Sequence, residues 1–225
     1  MTAPYKLPIE QFIRHFDEAA NALQCPGSPL HRKILYSTAL DPLARAAYGA
    51  SLGNKARFTR LVRELSGWSH SERVSLPQLQ QRLRAEGRHR QKLCRKIRHD
   101  LGLWDSDSKI GLQHSPVADV LVPFAQGNEI KLISECKYSE LFYAYRNSLI
   151  HEFREPGYGW DIAGTSSKPF YMSYLGNEGQ WELVFPVRFF ETLLAGTLAG
   201  LRAHLIKHKI NPYKNFQFGS MWKMA

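Results

Sequence analysis

Arg146, Asn147 and His151 are the residues whose types and spacing best suit chemistry in this sequence of 225 residues. Asn147 and His151 are four residues apart, so a helix would place their side chains next to each other. A histidine can exchange a proton near neutral pH, an arginine stays cationic, and an asparagine can orient either group through hydrogen bonds. The three side chains therefore indicate proton transfer beside a fixed positive charge.

The three residues fall in a predicted central helix that runs from about Glu129 to Phe153 and ends before Pro156-Gly157. We expect one stripe of this helix to face the core, and it contains Tyr138, Phe142, Tyr145, Leu149 and Phe153. The opposite side carries Glu140, Tyr143, Asn147, His151 and Arg154, with Arg146 at its border. The alternative to a functional site is that this side of the helix is simply exposed to solvent. Such a face is usually rich in Lys and Glu, whereas this one offers groups that make directed hydrogen bonds.

The run Tyr145-Arg146-Asn147-Ser148-Leu149-Ile150-His151-Glu152 resembles the signature of the HEPN superfamily. That signature is an Arg followed directly by a polar residue and, after a short spacer, a His. Members of the superfamily are helical bundles, and many are ribonucleases. The resemblance is close across the central helix and covers the N-terminal and C-terminal helices only in outline. It implies metal-independent cleavage of RNA, without a cofactor, by attack of the ribose 2′-hydroxyl on the adjacent phosphate.

Such a reaction needs a base, an acid and a cation for the charge that develops on the phosphorus. The resemblance implies that His151 transfers protons, Arg146 clamps the phosphate and Asn147 orients them. Because one histidine cannot easily be both acid and base, two copies facing each other across a two-fold axis would divide the roles, which predicts a homodimer. The implied role is that of a toxin or defence enzyme restrained by a partner protein. The alternative is a non-catalytic HEPN module that binds RNA, a nucleotide or a partner protein.

The chain carries a formal net charge of +10, which favours a polyanionic partner such as RNA. Residues 82–98, which we call the basic segment, contain eight Lys or Arg residues and one acid, Glu86, and so supply +7 of this charge. A phosphate-binding patch and a solvated helix face are both consistent with this composition. The candidates for RNA contact in this segment are Arg88, Arg90, Lys96 and Arg98; Tyr143 and Arg154 on the central helix are further candidates for stacking and phosphate contact.

The elements that must position these groups are predicted to form one mainly α domain, a HEPN-like antiparallel helical bundle with a small β-hairpin before its last helix. Proline at position 42 predicts a kink or break in the second helix. The hairpin and the basic segment are not explained by the HEPN pattern. The predicted divisions are N-terminal helices over 1–104, a connection over 105–128, the motif helix over 129–154, the hairpin over 168–186, a closing helix over 187–208 and a tail over 209–225.

Several other classes of protein find little support. No apolar run approaches the roughly 18 to 20 residues that cross a bilayer, and the N-terminus does not resemble a secretory signal, so a cytoplasmic protein with no membrane partner is expected. The three cysteines, Cys25, Cys94 and Cys136, are far apart and are expected to be reduced thiols. No Gly-rich phosphate loop is present.

Three features of the C-terminal region have a simple structural interpretation. His204 and His208 have a spacing that can hold a metal, but no third ligand lies nearby in the sequence, so a solvated helix end is expected and no metal site. Gly196, Ala199, Gly200 and Ala203 form a small-residue edge suited to close helix packing. The aromatic tail, which includes Phe216, Phe218 and Trp222, either covers the bundle or stacks on bases.

Overall fold

The computed structural model of the chain describes residues 4–23, 27–88, 91–157, 166–174 and 177–215. These residues form a mainly helical protein with a small antiparallel sheet, as the sequence predicts at this coarse level. The elements in chain order are α1 (Lys6–Ala22), α2 (Pro29–Tyr48), α3 (Asn54–Leu65), α4 (Leu76–Ala85), α5 (Lys92–Leu101), β1 (Ile110–Gly111), α6 (Ala118–Leu121), α7 (Glu129–Glu135), α8 (Tyr138–Glu152), β2 (Phe170–Tyr174), β3 (Asn177–Val184), α9 (Val187–His208) and α10 (Pro212–Asn215).

The chain folds into two compact units. The single domain expected from the sequence stays a prediction. The first unit contains Met1–Trp68, Arg146–Arg154 and Phe190–Ala225, and the second contains Ser69–Tyr145 and Glu155–Phe189. Segments of the two units alternate along the chain. One of the boundaries lies just before Pro156-Gly157, whereas the boundary between Tyr145 and Arg146 falls inside α8.

In the first unit, α2 packs against α3, and α10 packs against α1 and α2. Tyr213 meets the ring of Phe12 edge to face, with centroids 5.6 Å apart, and the Asn215 amide donates a hydrogen bond to the Ala46 carbonyl at 3.0 Å. The start of the predicted tail thus folds back onto the helices. Its aromatic residues Phe216, Phe218 and Trp222 lie outside the described residues.

Helix α2 runs without interruption through Pro42, so the alternative of a break at this residue is wrong. Proline removes one backbone donor from the helix, but Leu40, Leu43 and Ala44 around it are buried, and their packing stabilises the helical path. The helix ends at Gly49, whose φ of 67° is accessible to glycine at little cost.

Helix α9 crosses the end of α3 at two glycines. A Cβ atom at Gly196 or Gly200 would collide with the backbone carbonyl of Ser66 or Leu65, respectively. The predicted close packing is therefore confirmed for the glycines. It does not extend to Ala199 and Ala203, which are exposed.

The second unit has its own apolar core, to which α4, α5 and α7 contribute. Ser75 caps the start of α4, because its hydroxyl accepts a hydrogen bond from the backbone N–H of Gln78 at 3.3 Å. The sheet has the order β1-β2-β3 and is antiparallel. Strand β1 lies in the predicted connection over 105–128, which otherwise forms short helical turns around α6. Its two residues are too few for a sequence pattern to reveal.

The prediction of a single central helix from Glu129 to Phe153 is wrong. Helix α7 ends at Glu135 and α8 begins at Tyr138. Between them, the Cys136 carbonyl accepts a hydrogen bond from the Ser75 amide, and the Tyr138 amide donates to the Arg73 carbonyl, each at 2.9 Å. These long-range backbone bonds replace helical ones, so the helix is interrupted without a proline or glycine.

The predicted core stripe of α8 is largely confirmed. Tyr138, Phe142, Tyr145 and Leu149 are buried. Phe153 is the exception, because the helix ends one residue before it, its φ is 53° and it is 64% exposed. The prediction that Phe153 faces the core is therefore wrong.

Among the described helices, even α9 with its 22 residues lacks the apolar stretch that a membrane crossing would need.

Cys94 and Cys136 are buried and form no disulfide. Burial, with a smaller contribution from Glu135, raises the pKa of the Cys136 thiol to about 12, which keeps it protonated and unreactive. Cys25 lies outside the described residues.

Candidate active site

Arg146 is held inside the first unit rather than extended into solvent. Its side chain is 11% exposed, and its guanidinium forms an ion pair with the carboxylate of Asp41 from α2, which is 37% exposed. A second nitrogen, Nη1, donates a hydrogen bond to Oδ1 of Asn147 at 2.9 Å. Burial lowers the pKa of Arg146 below its ordinary value, but an arginine remains cationic at neutral pH. The site thus contains a positive charge with a fixed position.

His151 lies one helical turn beyond Asn147, in the last turn of α8, and is exposed. It makes no hydrogen bond or ion pair with another residue in the part of the chain that the structure describes. The side-chain oxygen of Asn147 accepts a hydrogen bond from Arg146. The hydrogens of its side-chain NH₂ group are therefore what Asn147 can offer to a ligand. The motif therefore combines an anchored cation with an imidazole open to an incoming group.

A cleft of about 300 Å³ adjoins the carboxylate that holds Arg146. Arg57 of α3 is 8% exposed, and its guanidinium donates to the Gly49 carbonyl at 3.0 Å and to Oδ1 of Asn54 at 2.5 Å. Burial, and then the like charge of Arg45, lower the pKa of Arg57. The residues that line this cleft are Asp41, Pro42, Ala44, Arg45, Asn54 and Arg57.

The two further candidates on the central helix differ in their surroundings. Arg154 belongs to the first unit, is exposed and forms an ion pair with Glu152 at 2.5 Å. Tyr143 belongs to the second unit and is half-buried. Their roles in RNA contact stay predictions.

The basic segment lies in the second unit, and carboxylates neutralise part of its charge. Arg88 pairs with Glu86 at 3.0 Å, Lys96 pairs with Asp100 at 2.6 Å and Arg82 pairs with Glu135. Arg98 is exposed in the last turn of α5, and Arg90 lies outside the described residues. Among the described residues, no carboxylate pairs with Arg84, Lys92 or Arg95, which are also exposed. Two of the four predicted RNA contacts in this segment, Arg88 and Lys96, thus have a carboxylate partner.

The rings of His204 and His208 are in tilted contact near the end of α9, with centroids 4.5 Å apart, and His204 also contacts Tyr48. Burial, and then the neighbouring His208, lower the pKa of His204. No cluster of three metal-binding side chains occurs within the described ranges.

Sequence reasoning did not identify Asp41, Arg45 or Arg57 as part of the site. Asp41 and Arg45 are four residues apart on α2, a spacing that predicts a local ion pair between them. The Asp41 carboxylate instead meets Arg146, far along the chain. The only local signal is an aspartate directly before a proline inside a predicted helix, which does not specify a partner.

Comparison of the chain with protein-family models, curated proteins and solved structures finds no match.

Proposed function

We propose that the chain is a metal-independent endoribonuclease of the HEPN type, with Arg146, Asn147 and His151 as its catalytic residues. The observation that carries the proposal is the arrangement around Arg146. Its guanidinium is held by Asp41 and Asn147, while the imidazole of His151 is exposed one turn away. A preorganised cation beside an available proton-transfer group is what phosphoryl transfer within RNA requires.

In the proposed reaction, the ribose 2′-oxygen forms a bond to the adjacent phosphorus, and the bond from phosphorus to the 5′-oxygen breaks. A base takes the proton from the 2′-hydroxyl, and an acid gives a proton to the departing 5′-oxygen. The products are a 2′,3′-cyclic phosphate and a free 5′-hydroxyl. Arg146 stabilises the negative charge on the pentacoordinate phosphorus, and the amide of Asn147 orients a phosphate oxygen.

We further propose that two copies of the chain form a homodimer in which their two His151 side chains divide the acid and base roles. The exposure of His151 at the end of α8 supports this arrangement, because a second copy can approach it. A strictly monomeric protein at micromolar concentration, measured by light scattering, would remove the composite site from the proposal.

The proposed setting is a toxin or a defence against foreign genetic elements, with the nuclease restrained by a partner protein. The alternative function is a non-catalytic HEPN module that binds RNA, a nucleotide or a partner protein. The ion pair between Arg146 and Asp41 favours this alternative in one respect, because the carboxylate competes with a phosphate for the guanidinium.

The decisive experiment incubates the wild-type chain and the variant His151→Ala with mixed RNA in EDTA. We expect the wild type to produce fragments with cyclic phosphate ends and the variant to lose at least about a hundredfold in rate. His31→Ala is the matched control, because His31 is an exposed histidine of α2 in the same unit. Equal cleavage by wild type and His151→Ala would show contamination and reject the proposal.

A further inference from the structure

The cleft beside Asp41 contains more positive charge than the structure needs for its own ion pairs. Two guanidiniums, those of Arg45 and Arg57, line it together with one carboxylate, that of Asp41. This carboxylate is already paired with Arg146. Together with Arg146, which pairs with Asp41, the cleft and its edge hold three guanidiniums and one carboxylate, which leaves a formal charge of +2.

The geometry of Arg57 is that of a fixed donor. Its side chain is 8% exposed, and two hydrogen bonds set the plane of its guanidinium, one to the Gly49 carbonyl and one to Asn54. Neither of these acceptors carries a charge, so they do not neutralise the guanidinium. Arg45 is exposed and adds a second positive charge, which is unfavourable to Arg57 until an anion arrives.

We propose that this cleft binds a phosphodiester group of an RNA strand, with Arg45 and Arg57 as its ligands. The inference rests on the proposed ribonuclease function and deepens it by assigning a second phosphate subsite next to the catalytic motif. A guanidinium matches the paired oxygens of a phosphate, and a fixed one loses little entropy on binding. The volume of about 300 Å³ is at the lower end of the range for small-molecule sites and suits one nucleotide.

Asp41 lines the cleft, but its negative charge does not prevent an anion from binding there. Its carboxylate is occupied by Arg146, so the ion pair presents little net charge to a phosphate bound by Arg45 and Arg57. The same aspartate thus links the catalytic arginine to the subsite. A strand with one phosphate in the cleft would have a neighbouring phosphate near the motif.

The test measures binding rather than cleavage. The probe is a fluorescein-labelled RNA of about ten nucleotides that is methylated at every 2′-oxygen, so that it cannot be cut by 2′-hydroxyl attack. Arg45→Glu reverses an exposed charge, and we expect Kd to rise at least about tenfold near 50 mM salt, with a salt slope reduced by about 0.7 for a lost phosphate contact. Arg14→Glu, on an exposed arginine of α1, is the matched control and should change Kd by less than about threefold.

A second variant, Asn54→Ala, changes no charge but removes one of the two acceptors that hold Arg57. We expect a rise in Kd of about threefold or more, with an unchanged salt slope. Circular dichroism should show the same helical content as the wild type. An effect of Arg45→Glu no larger than that of Arg14→Glu, or wild-type affinity in Asn54→Ala, would overturn the subsite.

Competition separates the two sources of a phosphate group. Unlabelled RNA should displace the probe at a much lower concentration than ATP or inorganic phosphate, and stronger displacement by ATP would overturn the assignment to an RNA strand. The outcome is also independent of catalysis. If the wild type fails to cleave RNA but Arg45→Glu weakens binding, the nuclease proposal fails and the subsite stands. If the wild type cleaves RNA but Arg45→Glu binds the probe as the wild type does, the nuclease proposal stands and the subsite fails.

Discussion

The guanidinium of Arg146 on α8 forms an ion pair with the carboxylate of Asp41 on α2. This pair connects the Arg146–His151 motif to α2. It fixes the position of the cation before any substrate binds, and it leaves His151 as the exposed member of the motif. The pair therefore has a consequence for stability and, in the proposed reaction, one for catalysis.

The structural consequence is measurable with a double-mutant cycle on Asp41→Ala and Arg146→Ala. We expect a coupling energy of roughly 1 to 2 kcal/mol in the free energy of unfolding, because the arginine is nearly buried whereas more than a third of the aspartate is exposed. The pair Arg14 and Glu18, which is about 70% exposed on both sides, serves as control and should give at most about 0.5 kcal/mol. A coupling energy for the first pair as small as that of the control would contradict the prediction.

The basic segment should contribute to RNA binding through the residues whose charges have no carboxylate partner. The double variant Arg84→Ser with Arg95→Ser should reduce the salt slope of RNA binding by about 1.4, which is about 0.7 for each lost contact. Arg88→Ser with Lys96→Ser should have a smaller effect, because Glu86 and Asp100 already neutralise these charges. Equal effects of the two double variants would show that the ion pairs do not limit RNA binding.

The contact between α9 and α3 should tolerate no side chain at the position of Gly196 or Gly200. Gly200→Ala places a Cβ atom against the Leu65 carbonyl, which is backbone and cannot rotate away, so we expect a loss of about 1 to 3 kcal/mol in the free energy of unfolding. Gly53→Ala is the matched control, because nothing lies within 4 Å of its Cβ position, and should cost less than about 1 kcal/mol. Urea unfolding monitored by circular dichroism measures both values.

The stability of the first unit should fall in mild acid because of His204. Burial and His208 lower the pKa of His204 in the folded state. The unfolded chain therefore binds the proton more tightly, and protonation in mild acid favours unfolding. The penalty is absent at higher pH, where the side chain is neutral in both states, and grows as pH falls through the ordinary value toward the lowered one. Glu64 opposes the shift, whereas Arg60 reinforces it.

The measurement is the urea midpoint of wild type and His204→Gln at about pH 7.5 and about pH 5.5, on either side of the ordinary value. The variant should lose less stability between these conditions. His31→Gln removes an exposed histidine and should behave as the wild type does. If all three proteins lose the same stability, the burial of His204 has no consequence for acid sensitivity.

Local patterns predicted the mainly helical fold and the part of the motif helix that forms α8. The buried stripe from Tyr138 to Leu149 follows from apolar spacing alone. The break at Cys136 was not predictable, because it depends on backbone hydrogen bonds to Arg73 and Ser75, about sixty residues earlier. The candidate site was predictable only in part for the same reason. Its motif is local, whereas Asp41 meets Arg146, and Arg57 lines the adjoining cleft, only through tertiary packing.

The break before α8 also separates the motif from changes elsewhere in the chain. The backbone amide of Tyr138 is hydrogen-bonded to the Arg73 carbonyl at the start of α8. This bond fixes the residue from which the helical register of α8 begins. An insertion of one residue in a continuous helix would rotate all that follows by about 100°. We expect an insertion within α7, which precedes the break, to leave the helical register of α8 unchanged.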